Sequence, residues 1–392
     1  CPIETFGHDR HKSSARQDLP FPRSSVRTHT GKVSGIIAMT KKKSIVYFTD
    51  LRATSKRNLF DKLDELLNLV GVNEKFKKGH LVAIKLHFGE KGNTSFIQPV
   101  FVRRVVDAVK KTGARPFLTD TNTLYTGTRA NSVDHLQTAV ENGFAYAVVA
   151  APLIIADGLR GNDGIEVKVD GRHFKEVSIA REIAAASGVI ALTHFKCHEM
   201  SGFGGALKNI GMGCASRKGK LAQHSNSAPA VDPGGCVACG DCALVCPANA
   251  IDIGAKAVID ANICIGCGHC IPACPEGAIH VRWNETTGHL QEKLAEHAKG
   301  ALAGKEGLSV FVNFVTRISP ACDCYGHNDA PIAPDIGILA SADPVAIDQA
   351  SADLVNAGSG YLENTALKSG HAPGGDKFRG VYPDVDWQIQ LR

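Results

Sequence analysis

The chain has 392 residues, 44% of them apolar, enough to bury a sizeable core in two or three domains. The formal charge of +5 is local: residues 1–43 hold nine Lys or Arg and three acids, a balance of +6, which leaves −1 for the remainder and no basic field suited to nucleic acid. No apolar run reaches the roughly 18 residues of a membrane span, and the longest, 144–156, reads as buried strands.

Residues 1–38 are rich in Arg, Ser, His and Pro and lack periodicity. They read as a leader, a disordered tail or a non-native extension, with Met39 a natural start and no apolar core of a secretory signal. From Ser44 onward strands and helices alternate. Strands are expected at 44–50, 80–88, 116–120, 147–155 and 188–193, and helices at 58–70, 101–111, 133–142 and 180–187, with a hairpin over Asp170-Gly171. The pattern resumes at 292–301 (helix), 308–318 and 335–341 (strands) and 344–356 (helix, with Ser341 or Asp343 as cap and Pro344 in its first turn). Such alternation predicts an α/β fold with a mostly parallel, doubly wound sheet. The interruption predicts one sheet domain in two parts, 39–228 and 284–392, around an inserted α+β module at 229–283.

That insert carries the strongest signal in the chain. Cys236, Cys239, Cys242 and Cys246 precede Pro247, and Cys264, Cys267, Cys270 and Cys274 precede Pro275. Both read C-x-x-C-x-x-C-x-x-x-C-P, the run that holds [4Fe–4S] clusters in bacterial two-cluster ferredoxins. Four soft thiolates satisfy a cubane, and in such ferredoxins the fourth Cys serves the other cluster. The expected quartets are therefore Cys236, Cys239, Cys242 and Cys274, and Cys264, Cys267, Cys270 and Cys246. Zinc would instead favour separated C-x-x-C pairs. Two clusters imply electron transfer, a redox partner and a reducing compartment, hence the cytoplasm of an anaerobe-like cell.

Three further constellations bear chemistry. Lys85-Leu86-His87 and Lys196-Cys197-His198 repeat one Lys-x-His spacing at two strand ends, and Asp120-Thr121-Asn122-Thr123 ends a third. Ligands of open parallel sheets sit beyond such ends, so Lys85, His87, Lys196 and His198 are candidate catalytic residues. The turn Gly202, Gly204 and Gly205 before a helix carrying Lys208 suggests free N–H groups that would hold an anionic small molecule or cofactor. Cys322-Asp323-Cys324 cannot bridge itself comfortably; the readings are free cysteines or an additional metal completed by His327, Cys214, Cys197 or His198. No nicotinamide or flavin motif is present.

Taken together, these segments resemble the uncharacterised iron–sulfur centre proteins of the domain of unknown function 362 family. The residues that carry the resemblance are Lys85-Leu-His-Phe-Gly-Glu90, Asp120-Thr-Asn-Thr-Leu-Tyr125, Ala156-Asp-Gly158, His194-Phe-Lys-Cys-His198, Gly204-Gly-Ala-Leu-Lys-Asn-Ile-Gly-Met-Gly213, Cys322-Asp-Cys324, Asp335-Ile-Gly-Ile-Leu and Asp343-Pro-Val-Ala-Ile-Asp348. The resemblance covers residues 40–392 and implies cluster binding and a redox role, without a reaction. Three functions fit: an oxidoreductase whose clusters feed a site on the sheet domain, a non-catalytic electron carrier or partner subunit, and a metal- or cluster-handling protein.

Overall fold

The computed structural model describes residues 3–5 and 44–392. The stretch set apart at the N-terminus, with Cys1 and Met39, lies outside the described residues except for one strand, β1 (Ile3–Thr5). In chain order there follow β2 (Val46–Asp50), β3 (Leu81–Lys85), β4 (Arg115–Asp120) and β5 (Leu153–Ile155). Helices Leu59–Leu69, Pro99–Lys111 and Ser132–Glu141 separate them. The hairpin β6 (Gly164–Lys168) and β7 (Glu176–Ala180) leads to β8 (Gly188–His194). Next come the ribbon β9 (Lys196–His198) and β10 (Gly202–Gly204), the short strands β11 (Ala230–Val231), β12 (Ile251–Ile253), β13 (Ala257–Ile259) and β14 (Ile279–His280), then β15 (Ser309–Val315) and β16 (Gly337–Ser341).

The central sheet runs β1-β2-β16-β15-β8-β3-β4-β5. Only β16 is antiparallel to its neighbours, so the sheet is mixed and mostly parallel. Alternation along each strand builds two cores, because successive side chains leave opposite faces. Val82 and Ile84, Ile190 and Leu192, Val310 and Val312 join Leu63, Val105 and Val109 of two helices on one face. Ala83, Val189, Ala191 and Phe311 join Ile210, Leu294, Ile347 and Ala350 on the other.

Local chemistry sets the helix starts. Asn58 accepts from the amides of Phe60 and Asp61, and Asp343 accepts from those of Val345 and Ala346 with Pro344 in the first turn. Of the two cap candidates, Asp343 is the cap, while Ser341 Oγ donates to the Ile45 carbonyl. One element differs from expectation. The apolar stretch 147–155 is not a single strand: Tyr146–Val149 is a helical turn, Ala150 sits in the left-handed region at φ 56°, and only Leu153–Ile155 is extended. A continuous apolar run carries no period to tell the two apart.

Residues 230–280 form a small unit with its own apolar cluster, containing Ile251, Ile271, Ala278 and Ile279. Its halves interlock: β11 of the first pairs with β14 of the second, and β12 pairs with β13. Leu124 and Leu221 of the sheet domain belong to the same cluster, so the unit is packed onto the larger body.

Candidate functional site

In the small unit, two concavities lie among the cysteines. Cys236, Cys239, Cys242 and Cys274 line the first; Cys246, Cys264, Cys267 and Cys270 line the second. Each quartet takes three residues from one run and one from the other, because the interlocked halves carry each fourth Cys across. Backbone amides already point at sulfur: Ala250 N donates to Cys246 Sγ and Ala278 N to Cys274 Sγ, both at 3.2 Å, and Ala257 N to Cys236 Sγ at 3.4 Å. Burial, with the neighbouring Cys267 and Cys264 sulfurs, pushes the Cys270 thiol up to about 12. Four thiolates crowded together need positive charge among them. Among the described residues, no three His, Cys, Asp or Glu side chains converge as one bound ion requires. Each quartet lines its own concavity.

The two quartets are not equivalent. Cys239 is exposed, and a Cβ on Gly240, just after it, would meet nothing within 4 Å. The corresponding Gly268 is buried, and its Cβ would sit 3.2 Å from Arg217 Cγ and 3.4 Å from Leu124 Cδ1. The first quartet therefore faces outward and the second lies against the sheet domain.

At the carboxyl ends of β3, β4, β8 and β15 the sheet domain gathers a polar cluster. Chain order runs outward from β3 to β5 on one side and from β8 to β15 on the other, so β3 and β8 flank the switch point of the sheet. Cys322 and Cys324 follow β15 and sit over it. The amide of Tyr325 donates to the Cys322 carbonyl at 3.1 Å, closing a turn that brings the two sulfurs to 2.9 Å. Cys322 is 1% exposed, whereas Cys324 is partly open to solvent. Lys208 Nζ lies 3.4 Å from Cys322 Sγ and His87 Nε2 3.6 Å from Cys324 Sγ. Tyr125 Oη donates to the Cys324 carbonyl at 2.9 Å and also bonds Arg129.

Hydrogen bonding fixes the histidines. The Gly89 amide donates to His87 Nδ1 at 2.9 Å, and the Met200 amide to His198 Nδ1 at 3.1 Å. An amide can only donate, so each neutral ring carries its proton on Nε2 and offers a donor there, not a metal-binding lone pair. Burial, with Arg129 at His87 and Lys208 at His198, pushes both rings below the usual histidine value, as neutral rings require. Cys324 is held well below the ordinary thiol range by the hydrogen bond from Cys322, the Lys208 charge and His87. Cys322 is pushed up by the same sulfur pairing and by burial. The surroundings thus favour the thiolate at Cys324 over Cys322.

The two candidate lysines serve differently. Lys85 is 1% exposed and pairs with Asp120 Oδ1 at 3.0 Å and Asn209 Oδ1 at 2.8 Å. Lys196 Nζ lies 3.0 Å from Asp323 Oδ2, while His194 Nδ1 meets Asp323 Oδ1 at 2.8 Å. His194 Nε2 faces the Thr316 and Arg317 carbonyls, so both ring nitrogens must donate. Buried carboxylates claim both lysines, which hold the strand ends together and leave the reactive face to His87, His198, Lys208 and the cysteines.

Gly202, Gly204 and Gly205 do not form the expected anion cradle. Gly202–Gly204 is a strand paired to β9, and the helix Ala206–Gly211 is already capped from within. Asp348 accepts from the amides of Ala206 at 2.7 Å and Leu207 at 2.9 Å, which satisfies the free N–H groups of the helix start. A Cβ on Gly205 would collide with that carboxylate. Gly205→Ala is therefore expected to destabilise the fold by about 1–3 kcal/mol in urea unfolding, as overpacked sites do. Lys208, one turn on, runs past Gly204 and ends with its ammonium at Cys322. Of the residues offered as completing a metal at Cys322 and Cys324, Cys197 and Cys214 are 0% exposed in the core, and His327 is exposed and lies against Tyr325. Arg129, Tyr125 and Asp323 also belong to the polar cluster. Asp323 stands inside the C-x-C motif, but nothing near Arg129 in the sequence marks it.

The fold and site define an α/β protein with a cysteine-rich unit seated beside the switch point of its sheet. A family model described as Domain of unknown function (DUF362) matches residues 82–353, and the chain belongs to that family. Among solved structures, the lactate racemase apoprotein from Thermoanaerobacterium thermosaccharolyticum is similar at 13% identity, with TM-score 0.35, covering 65% of this chain and 49% of that one. A Thermotoga maritima protein is similar at 10% identity, with TM-score 0.38, covering 75% of this chain and 57% of that one. The chain spans less than two thirds of either. Comparison with curated proteins finds no match. Among the described residues, no helix is long and apolar enough to cross a membrane.

Proposed function

We propose that this protein is a two-cluster iron–sulfur electron-transfer protein, its small unit a ferredoxin-like module that serves the polar site over the sheet. The observation that carries this is the pair of crossed cysteine quartets, each lining its own concavity. The donor sets fit [4Fe–4S] cubanes: four soft sulfurs in each, amides aimed at three of the eight, and small residues around the loops. Cys236, Cys239, Cys242 and Cys274 would hold the outer centre and Cys246, Cys264, Cys267 and Cys270 the inner one. When bound, such centres supply single electrons.

The chain's own residues give this a direction. Exposed Cys239 marks the side open to a redox partner. On the inner side Leu124 touches the Gly268 loop, and the next residue, Tyr125, bonds to Cys324. One loop thus spans from the inner quartet to the Cys322–Cys324 pair, where the electrons are used. A second reading, a carrier that only docks, draws on the exposed Val237, Leu244 and Val258 of the small unit, with 63%, 86% and 63% of their surface open. Oxygen-sensitive centres also call for a reducing compartment.

Anaerobic purification with metal and sulfide counting tests the proposal. About eight iron and eight sulfide per chain, with electron paramagnetic resonance signals on reduction, are expected. Stoichiometric zinc without sulfide would overturn it.

A further inference from the structure

We infer that Cys322 and Cys324 are a redox-active dithiol that reduces a disulfide substrate, Cys324 attacking and Cys322 resolving. This deepens the preceding reading and rests on it only for how the pair is returned to its reduced state.

The geometry separates the two roles. An extended C-x-C holds its sulfurs apart, but the turn closed by the Tyr325 amide brings them to 2.9 Å, within about 1 Å of a covalent bond of about 2.05 Å. The turn is pinned on every side: Asp323 is gripped by His194 and Lys196, its carbonyl accepts from the Glu90 amide at 3.1 Å, and the Cys324 carbonyl accepts from Tyr125. Cys324 is the less buried residue of the two, and its sulfur, which its neighbours hold toward the thiolate form, faces the His87 Nε2–H donor. Cys322 is closed off behind it, with Lys208 Nζ 3.4 Å from its sulfur and so placed to favour loss of its proton. An accessible thiolate before a buried resolving thiol is the arrangement thiol–disulfide exchange needs. Of the other three cysteines outside the runs, Cys197 and Cys214 are buried, and Cys1 lies outside the described residues.

The exchange balances. The Cys324 sulfur bonds to one substrate sulfur as the substrate S–S bond breaks, releasing one thiolate. The Cys322 thiol gives up its proton to solvent or to that thiolate, its sulfur bonds to Cys324, and the mixed disulfide opens to release the second thiolate. The pair is oxidised by two electrons and the substrate reduced by two. Returning the pair to thiol and thiolate takes two electrons and one proton.

The test uses the full chain, reduced and handled anaerobically. It is exposed to glutathione disulfide in one arm and to insulin, a protein disulfide, in the other, then alkylated and analysed by peptide mass. A Cys322–Cys324 disulfide is expected in at least one arm, and the arm that reacts shows whether the substrate is small or protein. Cys322→Ser should trap a mixed disulfide on Cys324, and Cys324→Ser should trap none. Without any variant, limiting iodoacetamide at pH 7 should alkylate Cys324 first, and Lys208→Met should slow it several-fold. Two unreacted thiols in the wild-type peptide in both arms, or trapping at Cys322 in Cys324→Ser as readily as at Cys324, would overturn the inference. Exchange needs no cluster, so a chain that lacks iron but cycles its thiols refutes the electron-transfer reading alone.

Discussion

Under the proposed two-cluster reading, a chain carrying Cys274→Ala is expected to hold about four irons where the unaltered chain holds about eight, and the surviving centre is expected to be the inner one. Cys274 belongs by sequence to the second run, yet it lines the concavity of Cys236, Cys239 and Cys242. An uncrossed arrangement predicts the opposite loss. Cys246→Ala is the mirror experiment: that residue follows the first run and lines the space of Cys264, Cys267 and Cys270. Iron and sulfide counts with spectra of both variants decide the matter. The outer centre, beside exposed Cys239, should also be the one that external iron chelators strip first from the intact chain.

Asp323→Asn will destabilise the protein by about 3–5 kcal/mol, the scale for removing one partner of a buried charge set. Asp323 is 0% exposed, hydrogen-bonds His194 through Oδ1 and is ion-paired with Lys196 through Oδ2. The amide keeps the shape but removes the negative charge and turns one acceptor into a donor, leaving a buried cation uncompensated. Urea unfolding under anaerobic conditions measures the loss. The same group sets an acid limit. Burial opposes its ionisation, but His194 and Lys196 outweigh that and hold its pKa below the ordinary carboxylate value of 3.8; Asp120, facing Lys85, is held down in the same way. Their contribution is full above pH 4 and is lost as the pH falls through their depressed folded-state values, so the stability of wild type should drop below pH 4 more steeply than that of Asp323→Asn.

How far these features can be read without coordinates depends on the range of the forces involved. Val82, Ile84, Ile190 and Leu192 announce strands through composition and alternation, and Asn58 and Asp343 announce helix starts through an oxygen placed two or three residues before the amides it caps. The stretch 147–155 defeats that reasoning, since an uninterrupted apolar run has no period and left-handed Ala150 gives no compositional sign. At the site, the structure separates the members of the Lys-x-His repeat: His87 Nε2 faces Cys324, His198 Nε2 lies 3.6 Å from Glu199 Oε1, and both lysines turn to buried carboxylates. The glycines before Ala206 look like an anion cradle because the capping carboxylate, Asp348, stands more than 140 positions away.

Cysteine spacing and strand–helix alternation, each set within a few residues by backbone geometry and ligand stereochemistry, determined the α/β class and the two candidate cluster runs from the sequence alone. The mate of each buried charge was decided only in the folded chain: Asp120 for Lys85, Asp323 for Lys196, Asp348 for the amides behind Gly205. So was the turn that sets Cys324 against Cys322. Desolvation makes those pairings obligatory once the groups are buried, and it acts on neighbours in space, whose distance along the chain leaves no local pattern to read.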